Sequence, residues 1–195
     1  MPLWTRLYLI LVPLFLVAGC SSYDYVGTVL DPPNELESFT LDTGEGTLAL
    51  GDLEGKYTLL FFGYTFCPDI CPATLFEMKQ VIEVLGPQAE QVQVVFVSVD
   101  PARDSPEQLA AYVSNFDPNF IGATAIDGDD LDMVLAQFGA TYFIEEGENP
   151  NGGYLVTHTG SIFVIDPDLR WRALFRESMT AEEISRDLRQ LMRDF

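Results

Sequence analysis

Two cysteines, each followed by a proline, are the residues of this chain best suited to chemistry. Cys67 and Cys71 end an apolar run, in the sequence Cys67-Pro-Asp-Ile-Cys71-Pro. Because proline disfavours helical backbone in the residue before it, we expect both cysteines to be extended or turn-like, with Pro72 opening a helix. The N-terminus of that helix would favour the thiolate of Cys71, the form that attacks disulfides and binds metals. The motif therefore predicts redox chemistry or metal binding.

Apolar patterns on either side of the cysteines predict the elements that position them. The runs from Tyr57 to Tyr64 and from Val92 to Val99 are typical of strands buried on both faces. The other patterns predict a hairpin over residues 37–50, helices over 72–85, 106–115 and 130–138, a closing hairpin over 161–175 and a final helix over 181–192. This order indicates an α/β fold with a thioredoxin-like mixed sheet and helices on both faces. The cysteines would then lie at the carboxyl end of a central strand, where such sheets place their sites.

The single histidine, His158, lies just before the penultimate strand of the predicted sheet. In a thioredoxin-like fold the loop entering that strand faces the cysteine motif, so the imidazole could meet both sulfurs. Two thiolates and one imidazole make a soft, low-coordinate donor set suited to Cu(I) and able to hold Cu(II). Zinc with water as a fourth ligand is chemically compatible. A blue-copper centre needs two histidines and is not favoured.

Asp100 and Arg103 follow the second central strand, at the same end of the sheet as the cysteines. Two interpretations fit them equally well. They could form the rim of the site, or they could pair with each other and fix the turn ahead of the helix that Ser105 caps.

The N-terminal residues have the pattern of a bacterial lipoprotein leader. Arg6 precedes an apolar run from Leu7 to Val17, and Val-Ala-Gly-Cys20 follows. This ending resembles a lipobox, in which the cysteine is lipidated and becomes the mature N-terminus. The apolar run is too short to span a bilayer comfortably, so a transmembrane anchor is the minor alternative. A second alternative is an ordinary secreted protein that is cleaved near this position without lipidation.

The leader divides the chain into three parts. We predict a lipoprotein signal peptide over residues 1–19, a flexible tether over 20–35 and a copper-binding domain over 36–195. The domain would be exported and lipid-anchored to the bacterial membrane, facing the periplasm or the outer surface. Because that compartment is oxidising, a plain structural disulfide between Cys67 and Cys71 has to be considered.

The charge of the chain limits its partners. Acidic residues outnumber basic residues by 30 to 10, which gives a formal net charge of −20. Such a surface repels nucleic acid and anionic lipid, so we exclude nucleic acid as a partner. The acidity could steer a cationic partner, although a solvated surface suited to a salty habitat explains it as well.

Several motifs together resemble the Sco/SenC copper chaperones of respiratory cytochrome oxidase assembly. The matching segments are Phe39-Thr-Leu, Leu53-Glu-Gly-Lys56, Phe62-Gly-Tyr-Thr-Phe-Cys-Pro-Asp-Ile-Cys-Pro72, Val97-Ser-Val-Asp-Pro-Ala-Arg-Asp-Ser-Pro106, His158-Thr159 and Val164-Ile-Asp-Pro167. They cover nearly the whole predicted domain. The resemblance implies a thioredoxin-like fold with an added N-terminal β-hairpin.

The same resemblance implies a function for the three candidate ligands. Cys67, Cys71 and His158 would bind copper and deliver it to the binuclear copper centre of cytochrome c oxidase subunit II, as a metallochaperone rather than an enzyme. The alternative is a thiol-disulfide oxidoreductase that reduces the cysteines of that centre, with Cys67 and Cys71 forming a disulfide when oxidised. Three residues between the cysteines, instead of the usual two, argue against this as the sole role. Thr157 and Ala73 depart from the family's pattern, which often has an acid and a threonine there.

Two further hypotheses concern the cysteines alone. Tyr64-Thr65-Phe66-Cys67 loosely resembles the loop of a peroxidatic cysteine, so a peroxidase of the peroxiredoxin type is a third candidate. A purely structural disulfide explains neither the paired prolines nor the histidine, and we rank it last.

Overall fold

The structure is a computed structural model that describes residues 23–125, 128–145 and 153–195. The predicted signal peptide and Cys20 lie outside these residues. Within them the strands are β1 (Thr28–Glu35), β2 (Thr40–Thr43), β3 (Gly46–Ala49), β4 (Tyr57–Gly63), β5 (Val92–Ser98), β6 (Ile121–Thr124), β7 (Tyr142–Glu145), β8 (Leu155–His158), β9 (Ile162–Ile165) and β10 (Arg170–Phe175). The helices are α1 (Ile70–Leu85), α2 (Pro106–Ser114), α3 (Gly128–Phe138) and α4 (Ala181–Asp194), and Leu50–Leu53 and Gly86–Gln91 form short 3-10 helices. None of the described helices is long and apolar enough to cross a membrane.

Eight strands form one mixed sheet in the order β1-β10-β9-β4-β5-β6-β2-β3. β4, β5 and β6 run parallel, and the strands on both sides of them pair antiparallel. β4 lies near the middle of this sheet, and every one of its residues is buried, as its continuous apolar run predicts. The predicted α/β, thioredoxin-like fold is confirmed, and the β2–β3 hairpin lies at one edge of the sheet.

The flexible tether predicted over residues 20–35 is wrong in its second half. Residues 28–35 form β1, which pairs antiparallel with β10. The local pattern is misleading because Pro32 and Pro33 are typical of a linker. In the structure both prolines fall where the β1–β10 pairing is irregular, between Val29 and Asn34, so neither has to donate an inter-strand hydrogen bond. The ordered domain therefore begins before residue 36.

The cysteine motif opens α1 slightly earlier than its prolines predict. The helix begins at Ile70, so Cys71 lies in its first turn and is helical rather than extended. Pro72 is tolerated at the third helical position because backbone N–H groups in the first turn have no partner within the helix. Cys67 lies in the preceding turn, where its backbone N–H donates to the carbonyl oxygen of Tyr64 at 3.2 Å.

A buried ion pair in the β9–β10 hairpin gives a stability prediction. The Asp166 carboxylate accepts hydrogen bonds from Nε and Nη2 of Arg172 at 3.1 and 3.0 Å, and both residues are buried. Asp166→Ala leaves that guanidinium buried without its partner, so we expect the free energy of unfolding to fall by about 3–5 kcal/mol. Chemical denaturation measures this. Asp168→Ala is the control, because its side chain is 73% exposed and surface pairs contribute at most about 1 kcal/mol. Equal losses for the two variants would contradict the prediction.

Candidate metal centre

The fold brings the three predicted ligands together. Ligand atoms of Cys67, Cys71 and His158 all lie within 4.8 Å of one another, and the Cys71 Sγ is 3.3 Å from Nε2 of His158. Both cysteines are free thiols. Among the described residues these form the one group of three or more potential ligands close enough to hold a metal ion. The structure thus places the imidazole of His158 beside the two sulfurs.

The end of β4 lets the Cys71 sulfur approach the sheet. A side chain at Gly63 would place its Cβ 2.7 Å from the Cys71 Sγ and 2.6 Å from the ring of Phe96. Both distances are shorter than van der Waals contact, so the position requires glycine. The Gly63 carbonyl oxygen accepts a hydrogen bond from the Val99 N–H at 2.8 Å, which continues the β4–β5 pairing to the edge of the site.

His158 ends β8, which pairs with β7 in a separate two-stranded ribbon that the sequence patterns did not predict. Thr159 and Thr141 close this ribbon, and the Thr159 N–H donates to the Thr141 carbonyl at 3.0 Å. The His158 Nδ1 lies 3.2 Å from the Thr159 carbonyl oxygen, which can only accept. The proton therefore belongs on Nδ1, and the lone pair of Nε2 faces the sulfurs. Such orientation of an imidazole by its second nitrogen is usual for a metal ligand.

The pKa values of the two cysteine thiols are shifted in opposite directions. A hydrogen bond from the Cys71 thiol is the largest cause that lowers the pKa of Cys67, to about 4, and hydrogen bonds from the backbone at Asp69 and Cys71 lower it further. The Cys67 sulfur and burial raise the pKa of Cys71. The expectation that the helix N-terminus favours a Cys71 thiolate is therefore wrong. N–H groups at that helix end stabilise the neighbouring Cys67 sulfur instead.

This asymmetry predicts selective alkylation of the metal-free, reduced protein. At pH 6 Cys67 is a thiolate and is 9% exposed, whereas Cys71 is a fully buried thiol. Because the thiolate is the reactive form, iodoacetamide should modify Cys67 well before Cys71. Peptide mass spectrometry of a time course measures the two rates, and urea-unfolded protein is the control in which the rates converge. Faster modification of Cys71 in the folded protein would contradict the assignment.

Asp100 and Arg103 pair with each other, and their further contacts include Tyr154 and Phe66. They form an ion pair, and the Arg103 Nη1 donates to the Tyr154 carbonyl oxygen at 2.9 Å. The Tyr154 hydroxyl donates to Asp100 at 2.7 Å, and its ring lies 3.7 Å from the Arg103 guanidinium carbon. That carbon is also 5.0 Å from the centre of the Phe66 ring. The group thus connects the residue before Cys67 with the residue before β8, the strand that carries His158.

Asp104 is a supporting residue that the sequence patterns did not single out. It is fully buried and accepts hydrogen bonds from the Thr65 backbone N–H at 3.0 Å and the Ser98 hydroxyl at 2.6 Å, and from the Thr65 hydroxyl. These bonds fix the loop two residues before Cys67. Its only sequence signal is a second acid within Asp100-Pro-Ala-Arg-Asp104.

Thr157, where the family often has an acid, lies on the outer face of the ribbon. Its hydroxyl donates to the carboxylate of Glu145 on the neighbouring strand. An acidic group therefore lies beside the residue before His158, although it comes from β7 rather than from position 157.

Comparison with known proteins places these residues in a family. Residues 29–193 match the SCO1/SenC family model. A protein of Stutzerimonas stutzeri described as copper-binding is 35% identical over 153 residues, which cover 78% of this chain and 74% of that protein.

Solved structures agree with this match. The apo Sco1 of Thermus thermophilus is 36% identical with a TM-score of 0.77, covering 88% of this chain and 99% of that one. Copper-bound ScoI of Bradyrhizobium japonicum is 35% identical with a TM-score of 0.72, covering 80% and 98%. BsSco, described as having a disulfide switch and as a member of the Sco family of cytochrome c oxidase assembly proteins, is 25% identical with a TM-score of 0.62, covering 84% and 96%. The match over residues 29–193 and these relatives show that the chain belongs to the SCO1/SenC family.

Proposed function

We propose that this protein is a membrane-anchored copper chaperone that binds copper through Cys67, Cys71 and His158. In this proposal it passes copper to the binuclear copper centre of cytochrome c oxidase subunit II during assembly. The observation that carries the proposal is the convergence of two sulfurs and one imidazole nitrogen within 4.8 Å. The copper-bound B. japonicum structure and the oxidase-assembly role given for BsSco support it.

The donor set fits copper as a cargo. Two sulfurs and one nitrogen are soft donors that suit Cu(I), and three ligands leave the ion open to attack by a fourth group. Cys71 is completely buried, whereas Cys67 has some exposed surface and follows the exposed side chain of Phe66. An incoming thiolate therefore approaches on the Cys67 side. Transfer would proceed by ligand exchange, with the Cys67–copper bond replaced first and the buried Cys71 bond last.

Copper uptake and transfer by the purified protein test this proposal. Reduced protein should bind about one Cu(I), as expected for one site of two thiolates and one imidazole. On mixing with the copper-free soluble domain of subunit II, the copper should move to that domain. Oxidised protein, in which both sulfurs are held in a disulfide, is the control and should bind none. Failure of the reduced protein to bind copper would contradict the proposed function, and binding without transfer would contradict the proposed acceptor.

The anchor is a separate part of the proposal. We infer that Cys20 is lipidated and that the domain is exported to the outer side of the bacterial membrane. The lipobox-like ending Val-Ala-Gly-Cys20 supports this. Mass spectrometry of the membrane fraction should find an N-terminal peptide that begins with acylated Cys20. A peptide that begins elsewhere without a lipid would contradict the anchor and leave copper binding untouched.

The unequal thiol acidities favour one second candidate, reduction of the subunit II cysteines. The Cys67 thiolate would attack the substrate disulfide to form a mixed disulfide, and one substrate sulfur would leave as a thiolate. Cys71 would lose its proton and attack Cys67, which releases the second substrate thiolate and leaves a Cys67–Cys71 disulfide. An external dithiol would then be needed for another turnover. A single-turnover assay on oxidised subunit II domain, without copper, tests this: no disulfide exchange counts against it, and Cys71→Ser should stop at the mixed disulfide.

A further inference from the structure

A cavity of about 460 Å³ lies beside the cysteine motif, between the first turns of α1 and the segment that leads into α4. Apolar side chains form part of its lining, those of Ile70, Ile162 and Met179. Three carboxylates also line it, those of Asp69, Glu77 and Glu177. None of the three copper ligands lines it, so it is a separate feature that combines apolar contact surface with negative charge.

The cavity is bounded by both segments that carry copper ligands. Asp69 and Ile70 lie between the two cysteines in the chain. Gly160 lies two residues after the histidine, and a Cβ at this position would clash with the Glu177 carboxylate and lie 2.7 Å from Cδ1 of Ile70. That carboxylate therefore lies against the backbone of the turn that follows the histidine. A group bound in the cavity contacts the cysteine loop and the histidine turn at once.

Two of the three carboxylates have no partner that explains their position. Glu77 accepts a hydrogen bond from the Ala181 N–H, so its charge matches the N-terminus of α4. Asp69 directly precedes α1, yet its side chain accepts no hydrogen bond from that helix. Within the part of the chain that the structure describes, neither Asp69 nor Glu177 forms an ion pair or a side-chain hydrogen bond. Both carboxylates therefore leave an unneutralised charge at the cavity.

These charges suit an organic cation better than a metal ion. Among the described residues, the copper ligands form the one group close enough to hold a metal ion, so the carboxylates at the cavity do not form another. Lysine and arginine side chains have a cationic end on an apolar stem, which matches both kinds of lining. We propose that the cavity receives a lysine or arginine side chain of the copper acceptor. This inference rests on the proposed chaperone function and specifies the chemistry of its partner's surface.

The chemistry of copper transfer gives such a cation a role. Cu(I) bound by two thiolates and a neutral imidazole carries one net negative charge. The acceptor's thiolate forms a bond to this ion and adds a second negative charge, before the bond to Cys67 breaks and Cys67 leaves as a thiolate. Copper remains Cu(I) throughout, so no electron is transferred. A cation in the neighbouring cavity stabilises the more negative intermediate, and it orients the acceptor on a chain whose net charge is −20.

Binding of a small cationic probe tests the cavity without the acceptor. Acetyl-arginine amide would be titrated into the full reduced chain in phosphatidylcholine nanodiscs while the amide signals are followed by NMR. Saturable shifts are expected at Ile70, Gly160 and Glu177. They should be several-fold larger than at Glu54, which precedes β4 at the end of that strand opposite the cysteines. Acetyl-glutamine amide is the uncharged control and should cause none of these shifts.

The same titration can overturn the proposal in several ways. Equal shifts with both amides would remove the role of charge, and evenly spread shifts or none would remove the cavity as the binding site. Shifts of the same residues with calcium chloride alone would assign the cavity to a metal ion. Shifts on raising the protein concentration without a probe would assign it to a second copy of this chain.

Copper transfer tests whether the acceptor uses the cavity. Glu177→Lys places a cation at the cavity, and Glu54→Lys makes the same change of charge at an exposed residue near the other end of β4. With equal loading of Cu(I), we expect Glu177→Lys to transfer copper to the soluble domain of subunit II at least about fivefold more slowly than Glu54→Lys at low salt. The difference should vanish at about 1 M salt, where charges are screened beyond about 3 Å.

Equal transfer rates for the two variants at low salt would overturn docking of the acceptor at this cavity and leave copper binding untouched. No transfer by the unchanged protein would instead contradict the proposed acceptor. The titration with acetyl-arginine amide then decides the cation site by itself, because it involves neither copper nor subunit II.

Discussion

His158→Ala is expected to weaken Cu(I) binding by more than about 100-fold. Removal of a residue that only hydrogen-bonds to a metal ligand costs about 10–100-fold in metal affinity, so removal of the ligand itself should cost more. The imidazole is the one nitrogen donor of the three-residue site, and its Nε2 lies 3.3 Å from the Cys71 sulfur. Its loss leaves two sulfurs and an open position. Competition with a colorimetric Cu(I) chelator measures the change in affinity.

Thr157→Ala is the matched control for this variant. Thr157 directly precedes His158 on β8, but its side chain lies on the outer face and is hydrogen-bonded to Glu145. The Thr157→Ala variant should therefore bind copper as the unchanged protein does. Circular dichroism establishes whether both variants keep the fold. An affinity of His158→Ala equal to that of Thr157→Ala would contradict a histidine ligand.

Copper affinity is expected to fall about tenfold for each unit of decreasing pH between 7.5 and 5.5, which gives about 100-fold over the range. The pKa of Cys71 is raised by the neighbouring sulfur and by burial, so this thiol carries its proton at neutral pH and must release it to bind copper. The pKa of Cys67 is lowered to about 4, so this group is already a thiolate and releases no proton in this range. Falling pH therefore opposes binding through Cys71.

Proton release during copper binding measures the same effect directly. Calorimetry in buffers of different ionisation enthalpy at pH 7.5 should give about one proton released per copper from the thiol pair. Release of two protons would mean that both thiols are protonated in the metal-free protein, contrary to the depressed pKa of Cys67. No release, together with a flat titration, would contradict coordination by Cys71.

The chemistry of the site could be predicted from the sequence because its residue types are rare in this chain. Apart from Cys20 the chain has two cysteines, and it has one histidine. Buried apolar runs placed β4 and β5 correctly, and capping residues marked the starts of α2 and α4, where Ser105 and Thr180 accept hydrogen bonds from the third helical residue. These signals are local, so one segment at a time suffices to detect them.

The features that sequence patterns missed depend on contacts between distant segments. β1 contains two prolines and becomes a strand because β10 offers it a pairing edge. The position of Cys71 at a helix N-terminus predicted a thiolate there. The neighbouring sulfur raises the pKa of Cys71, so the negative charge of the cysteine pair lies on the more exposed Cys67. Tyr154 connects to Asp100 across 54 residues, and Asp187 to Tyr23 across 164. No periodicity or spacing in one segment contains that information.

The ligand atoms around bound copper are the central claim, and X-ray absorption of the Cu(I)-loaded protein observes them most directly. The predicted spectrum contains two sulfur scatterers and one imidazole nitrogen, from Cys67, Cys71 and His158. The same measurement on His158→Ala should lose the imidazole contribution and keep both sulfurs. A spectrum with fewer than two sulfurs, or one that is unchanged in His158→Ala, would contradict the copper site described above.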